Sequence, residues 1–202
     1  VLMGSGEILG YKENSLLIRT DNNTVGWGNQ VGANDFANAS GTSISLDTWF
    51  MATVTFNGSD TIKIYVNGQL DGTKSVSSIN ITDSVLYVGK RANGLFLNGQ
   101  ITQCSVFNKT LSATEVSAIY DLTRHGNLLD SYSDNLLGYF AMGALDASTG
   151  LSDVGNGTIY DRSGNSNHGT GTNTEGADLK SSPNADPNGY SKGETNRSTD
   201  VK

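Results

Sequence analysis

The chain has 202 residues, 36% of them hydrophobic and 16% charged, with 25 glycines and a formal net charge of -7. That length bounds it to one large or two small domains, and the glycine-rich, weakly charged composition suits a turn-rich all-β protein better than a helical one. The acidic balance argues against nucleic acid and anionic membranes as partners, and no apolar run is long enough for membrane insertion. One cysteine, Cys104, excludes an intrachain disulfide framework. Its alternating surroundings, Ile101-Thr102-Gln103-Cys104-Ser105-Val106-Phe107, predict a small buried residue and not a reactive thiol. The sequence shows no secretion signal and opens on Val1, as expected of a processed chain or a section of a longer one.

Residues 1–20 contain a short apolar run, a Gly/Ser turn and strand-like segments over 8–11 and 16–19. An Asn- and Gly-rich stretch follows to about residue 45, interrupted by Val25-Gly26-Trp27 and carrying only weak strand signals. Over 47–71 the pattern sharpens. Phe50, Ala52, Val54 and Phe56 alternate with Trp49, Met51, Thr53 and Thr55, and Asn57-Gly58-Ser59-Asp60 reverses the chain. Ile62, Ile64 and Val66 then alternate with Lys63 and Tyr65 up to Asn67-Gly68, a pair that tolerates positive φ. Such a hairpin with one apolar face is marginal alone, so the rest of the chain must supply a facing sheet. Further strands are predicted over 84–90 and 99–107.

Residues 111–122 change period. Ser112 and Glu115 form a capping box, Leu111 is placed to staple onto Val116, and Val116, Ile119 and Tyr120 share one face. A short helix is expected there, closing a first domain over 1–122. After it, 136–142 and 158–160 read as strands within a segment 123–170. Residues 171–202 hold both prolines and almost no apolar periodicity, the composition of an extended tail ordered only where a partner holds it.

The succession Trp49, Val54-Thr55-Phe56-Asn57-Gly58, Ile64-Tyr65-Val66-Asn67-Gly68, Val88-Gly89, Asn98-Gly99-Gln100-Ile101, Val106-Phe107-Asn108-Lys109-Thr110-Leu111-Ser112, Glu115-Val116 and Ile119-Tyr120 resembles the laminin-G-like, concanavalin A-like lectin/glucanase superfamily. The resemblance covers roughly residues 1–122. It implies an all-β jelly-roll β-sandwich of two antiparallel sheets with one short C-terminal helix, here followed by an extended arm. Two departures stand out. Relatives open with a further strand pair ahead of a segment like 1–20, so the opening strands are expected to be removed, to lie upstream, or to be replaced by another segment. Relatives also carry an acidic pair where this chain has Thr102-Gln103.

The tract Leu136-Leu137-Gly138-Tyr139-Phe140-Ala141-Met142-Gly143, with Ile159 to Thr170 after it, is similar to a tract that follows laminin-G-like domains in structural proteins of large marine bacteriophages. It is also similar to the opening strands of the lectin domain itself. The resemblance implies a partial repeat or β-extension over 123–170, whose strands would pair with a neighbouring subunit.

A glucanase of this superfamily needs two carboxylates flanking the scissile bond, usually as Glu-x-Asp-x-x-Glu on one strand. Glu7, Glu13, Glu115, Glu175 and Glu194 belong to no such motif, so no enzymatic activity is expected. His125 and His168 are far apart and read as solvated loop residues. Asp161, Ser163, Asn165 and Asn167 place oxygen-bearing side chains at alternate positions, the arrangement of a tight loop around a hard cation such as calcium. The competing reading is a run of Asx-turns in a glycine-punctuated hairpin. Glu13 and Asn14 are a weaker calcium candidate by likeness to pentraxin-type folds. Trp27 offers a face for sugar stacking with Asn29 as a hydrogen-bonding amide, against the plainer role of covering a core edge.

No cofactor is required by this reading, calcium being the one candidate. The leading expectation is a non-enzymatic virion structural or appendage protein, at a virion surface or otherwise extracellular. Its partners would be other virion or surface protein subunits, copies of itself, and glycan. The alternatives are a calcium-assisted carbohydrate-binding lectin or cell-surface adhesin and, remotely, an endoglycanase.

Overall fold

A computed structural model describes residues 2–10, 14–19, 23–29, 36–37, 41–45, 48–75, 85–89, 97–122, 127–140 and 158–171. These residues are mostly β, with two short α-helices, and none of the described helices is long and apolar enough to cross a membrane. They fall into two compact units, one drawn from Val1–Ile101 and Thr110–Asp121, the other from Thr102–Lys109 and Leu122–Lys202.

In the first unit, β1 (Leu2–Gly10), β2 (Asn14–Arg19), β3 (Thr24–Asn29), β4 (Phe36–Ala37), β8 (Tyr87–Val88) and β9 (Asn98–Ile101) form an antiparallel sheet. Its order is β4-β3-β2-β1-β8, with β9 also on β1. A second antiparallel sheet contains β5 (Ala52–Phe56), β6 (Thr61–Val66) and β7 (Gln69–Ser75), in that order. The β5–β6 register sets Ala52 against Val66, Val54 against Ile64 and Phe56 against Ile62, the pairing that the alternation demands. At the first turn the Asn57 side-chain oxygen accepts N–H bonds from Ser59, Asp60 and Thr61 at 3.0, 3.0 and 2.9 Å. At the second, Asn67 and Gly68 take φ of 50° and 79°, the left-handed pair a tight hairpin turn needs.

Val25 and Trp27 of β3 join Ile44, Phe50, Ile62, Ile64 and Val66 in one buried cluster, with Ala52, Val54, Phe56, Leu97 and Ile101 packed against it. The two sheets thus share a core, and each fully buried aliphatic side chain contributes about 1.5–3 kcal/mol. Residues 42–44 tie the sheets at one place. Ser43 bridges Thr24, Ile44 N–H donates to the Asn23 carbonyl at 2.6 Å, and the Thr42 N–H and hydroxyl both donate to the Asp71 carboxylate of β7.

Helix α1 (Ala113–Asp121) begins with the expected reciprocal cap. Ser112 N–H donates to Glu115 Oε2 at 2.8 Å, and Glu115 N–H donates to Ser112 Oγ at 3.2 Å. Leu111 and Val116 are both buried. Tyr120 lies across the turn so closely that a Cβ at Gly68 would sit 2.9 Å from its own Cβ.

In the second unit β10 (Cys104–Phe107) pairs antiparallel with β11 (Leu136–Phe140), and β12 (Thr158–Ile159) with β13 (Gly169–Thr170). Helix α2 (Leu129–Tyr132) runs into a single 3-10 turn, Ser133–Asn135, just ahead of β11.

Four features differ from the sequence expectations. The strand expected over 99–107 is broken into β9 and β10, because Gln103 adopts φ of 55° and turns the backbone out of the extended region. β3 lies where only weak signals were read, since Gly26 and Gly28 dilute the apolar alternation of Val25 and Trp27. β7 extends the two-stranded hairpin to three strands. α2 is a second helix where one was expected, too short to show a helical period. The tail expected over 171–202 lies outside the described residues beyond Gly171.

Candidate functional site

The oxygen-rich loop between β12 and β13 folds back on β11, and Asp161 is its centre. Only 7% exposed, Asp161 accepts at Oδ1 the N–H groups of Tyr139 at 2.9 Å and Ser163 at 2.8 Å. Its Oδ2 accepts the Ser163 hydroxyl at 2.8 Å and the Asn167 N–H at 3.0 Å. Burial works to raise the Asp161 pKa, but the donors from Ser163, Tyr139 and Asn167 together outweigh it and hold the carboxyl below its ordinary 3.8.

The two asparagines extend this strap. Asn165 Nδ2 donates to the Leu136 carbonyl at 2.7 Å and to Ser163 Oγ at 3.0 Å, and Asn167 Nδ2 donates to the Leu137 carbonyl at 2.7 Å. Arg162 N–H completes the attachment with a 2.8 Å bond to the Tyr139 carbonyl. Positive φ at Gly164 (89°) and Ser166 (59°) makes the reversals that aim these groups inward. His168 Nδ1 accepts the Asp161 N–H at 3.1 Å, and its ring meets Tyr160 edge-on at 5.3 Å.

Tyr139 anchors the other side of β11. Its buried hydroxyl is hydrogen-bonded to Gln103 Oε1, and burial pushes the phenol above its ordinary pKa, keeping it protonated. Gln103 Nε2 is buried without a hydrogen-bond partner among the described residues. Sequence reasoning singled out neither Tyr139 nor Gln103 for this role. Tyr139 carried only a strand signal, and nothing in the sequence marks Gln103 for positive φ.

The cation reading of Asp161, Ser163, Asn165 and Asn167 meets this geometry directly. A calcium site needs several oxygens converging with free lone pairs. Here both Asp161 oxygens are engaged by donors, and both asparagines present amide N–H groups to strand carbonyls. The loop as folded is closed by its own hydrogen bonds.

Trp27 is 9% exposed and belongs to the apolar cluster, with its Nε1 buried and unpartnered among the described residues. The indole occupies the position of a core residue. Asn14 and Asn29 are direct cross-strand partners at the open end of the β2–β3 hairpin, a juxtaposition the sequence did not reveal. Glu13 and His125 lie outside the described residues. Cys104 is half-buried, and burial pushes its thiol up to about 11, the state of an unreactive cysteine.

Comparison with known proteins bears on the same stretch. Residues 3–117 match the laminin-G-like sequence profile described as the concanavalin A-like lectin/glucanases superfamily. Botulinum neurotoxin type E from Clostridium butyricum is 29% identical over 114 residues, 55% of this chain and 9% of the toxin. The same toxin type from Clostridium botulinum matches with the same identity and coverage, so the chain spans only about a tenth of the curated relatives it matches. Among solved structures, a candidate carbohydrate binding protein from Bacteroides ovatus superposes with a TM-score of 0.62 at 17% identity, over 85% of this chain and 50% of that one. With the profile covering more than half of its length, the chain belongs to the concanavalin A-like lectin/glucanases superfamily.

Proposed function

We propose that the chain is a non-enzymatic carbohydrate-binding module of an extracellular protein, built as a jelly-roll sandwich around the core that its two sheets share. The observation that carries this reading is the superfamily match over residues 3–117. The superposition on the Bacteroides ovatus candidate carbohydrate binder supports it. The open end of the β2–β3 hairpin supplies a contact region, because the register brings Asn14 and Asn29 to one position. Amide side chains both donate to and accept from sugar hydroxyls. The virion reading rests on the resemblance of the tract 136–170 alone, whereas the likeness to the Bacteroides ovatus candidate carbohydrate binder favours binding of sugar.

A glycan array probed with the full chain, with and without a calcium chelator, tests the proposal. Binding to a defined glycan class is expected, weakened about tenfold or more by the pair Asn14→Ala and Asn29→Ala. Loss of that binding on chelation assigns calcium to the site, and retention assigns a metal-free one. A folded chain that binds no glycan overturns the reading, as does release of reducing ends from a polysaccharide substrate for its non-enzymatic part.

A further inference from the structure

Strand β11 has two edges, and the loop 161–167 holds one of them. β10 pairs along one side, with Cys104 opposite Phe140, Ser105 opposite Tyr139 and Val106 opposite Gly138. The Tyr139 N–H and C=O are both taken by residues of the loop, so they point away from β10. Leu137 is the extra residue of the bulge between Gly138 and Leu136; its carbonyl accepts from Asn167 Nδ2, and the Leu136 carbonyl accepts from Asn165 Nδ2.

We propose that this loop is an edge cap, which occupies the outward edge of β11 and thereby keeps that strand from adding a β-strand of a second copy of the chain. An uncapped edge is a row of unpaired N–H and C=O groups, a template for any strand that reaches it. The sequence Leu136-Leu137-Gly138-Tyr139-Phe140 is uncharged and proline-free, and Leu137 is 43% exposed beside the edge. A second copy is the occupant with matching chemistry, because two identical strand edges meet antiparallel about a two-fold axis and complement themselves. The cap works because its bonds to Leu136 and Leu137 come from side chains, the amides of Asn165 and Asn167 and the Ser163 hydroxyl. These satisfy the carbonyls as a strand would, yet offer no continuing ladder for the next strand to join.

Sedimentation velocity of the full chain across a concentration series tests the cap, with circular dichroism confirming the fold. The pair Asn165→Ala and Asn167→Ala leaves the Asp161 carboxylate and its backbone donors in place, frees the Leu136 carbonyl, and leaves the Leu137 carbonyl only the longer 3.3 Å bond from the Ser163 hydroxyl. Its weight-average mass should rise about twofold above that of the unchanged chain as concentration increases. Adding Leu137→Lys, which sets a charge beside the freed edge, should return the mass to that of the unchanged chain. If the double variant loses its β signal, Asn167→Ala alone removes one side-chain bond and should show a weaker rise of the same kind. Folded variants whose mass equals that of the unchanged chain at every concentration overturn the proposal.

Discussion

The three-stranded sheet and the outward edge of β11 are secured by opposite chemistry. Around Ile62 the holding contacts are apolar: alternate side chains of β5 and β6 enter a cluster that Val25 and Trp27 share. At the Tyr139 edge they are polar: the loop grips β11 through one carboxylate, two amides, a hydroxyl and a backbone N–H. The first kind of contact tolerates small shifts, because hydrophobic burial is non-directional. The second depends on donor and acceptor directions, and a single lost partner leaves a buried group unsatisfied.

The largest test of this contrast is a cavity in the apolar region. Ile62 is fully buried, so Ile62→Ala should cost about 2–5 kcal/mol, read as a lower denaturant midpoint with an unchanged slope. A loss well under 1 kcal/mol would mean the cluster is not the main support of its sheet.

Next in size is the polar hub. Asp161→Asn keeps the shape but sets an amide against four donors, and should cost about 1.5–3 kcal/mol, with faster hydrogen exchange at Tyr139, Ser163 and Asn167. Because the folded-state pKa of Asp161 lies below 3.8, its contribution is fully present above that ordinary value and lost as pH falls through the lower folded value. The exchange rates of those three amides should therefore be flat near neutral pH after correction for intrinsic rates, and rise in acid. Asp161→Asn should abolish the acid dependence. An equal acid response in the variant would show that another group holds the loop.

The smallest effect is expected at the helix cap. Ser112→Ala removes one half of the reciprocal pair with Glu115 and should lower stability by about 1 kcal/mol, measured by thermal unfolding. It marks the scale of one exposed polar motif, against which the Asp161 hub, with four donors on one buried carboxylate, should stand clearly larger.

Much of the fold was legible in the residues. The β5–β6 hairpin, the turns at both ends of β6 and the α1 cap follow from local rules of alternation, left-handed turn residues and Ser-x-x-Glu spacing, and the structure has each of them. β3 was obscured because Gly26 and Gly28 contribute no side chain to the period. The break at Gln103 left no trace, since a glutamine carries no preference for positive φ. At the candidate site the sequence offered two readings of the same seven residues. The spacing of oxygens in Asp161-Arg162-Ser163-Gly164-Asn165-Ser166-Asn167 fits both a cation loop and a set of Asx-turns, because spacing does not say which way an amide turns its N–H groups.

The sequence by itself determined a β-rich chain, its superfamily over the first 122 or so residues, and the local hydrogen bonds of turns and cap, all of which depend on neighbours a few positions apart. Only the tertiary structure decided that Trp27 belongs to the core, that Asn14 meets Asn29, and that Asp161 spends its charge on Tyr139, 22 residues away. The physical reason is range. Periodicity and capping are written within one turn or one strand, whereas the partner of a carboxylate or an amide is set by which strand edge the folded chain carries to it.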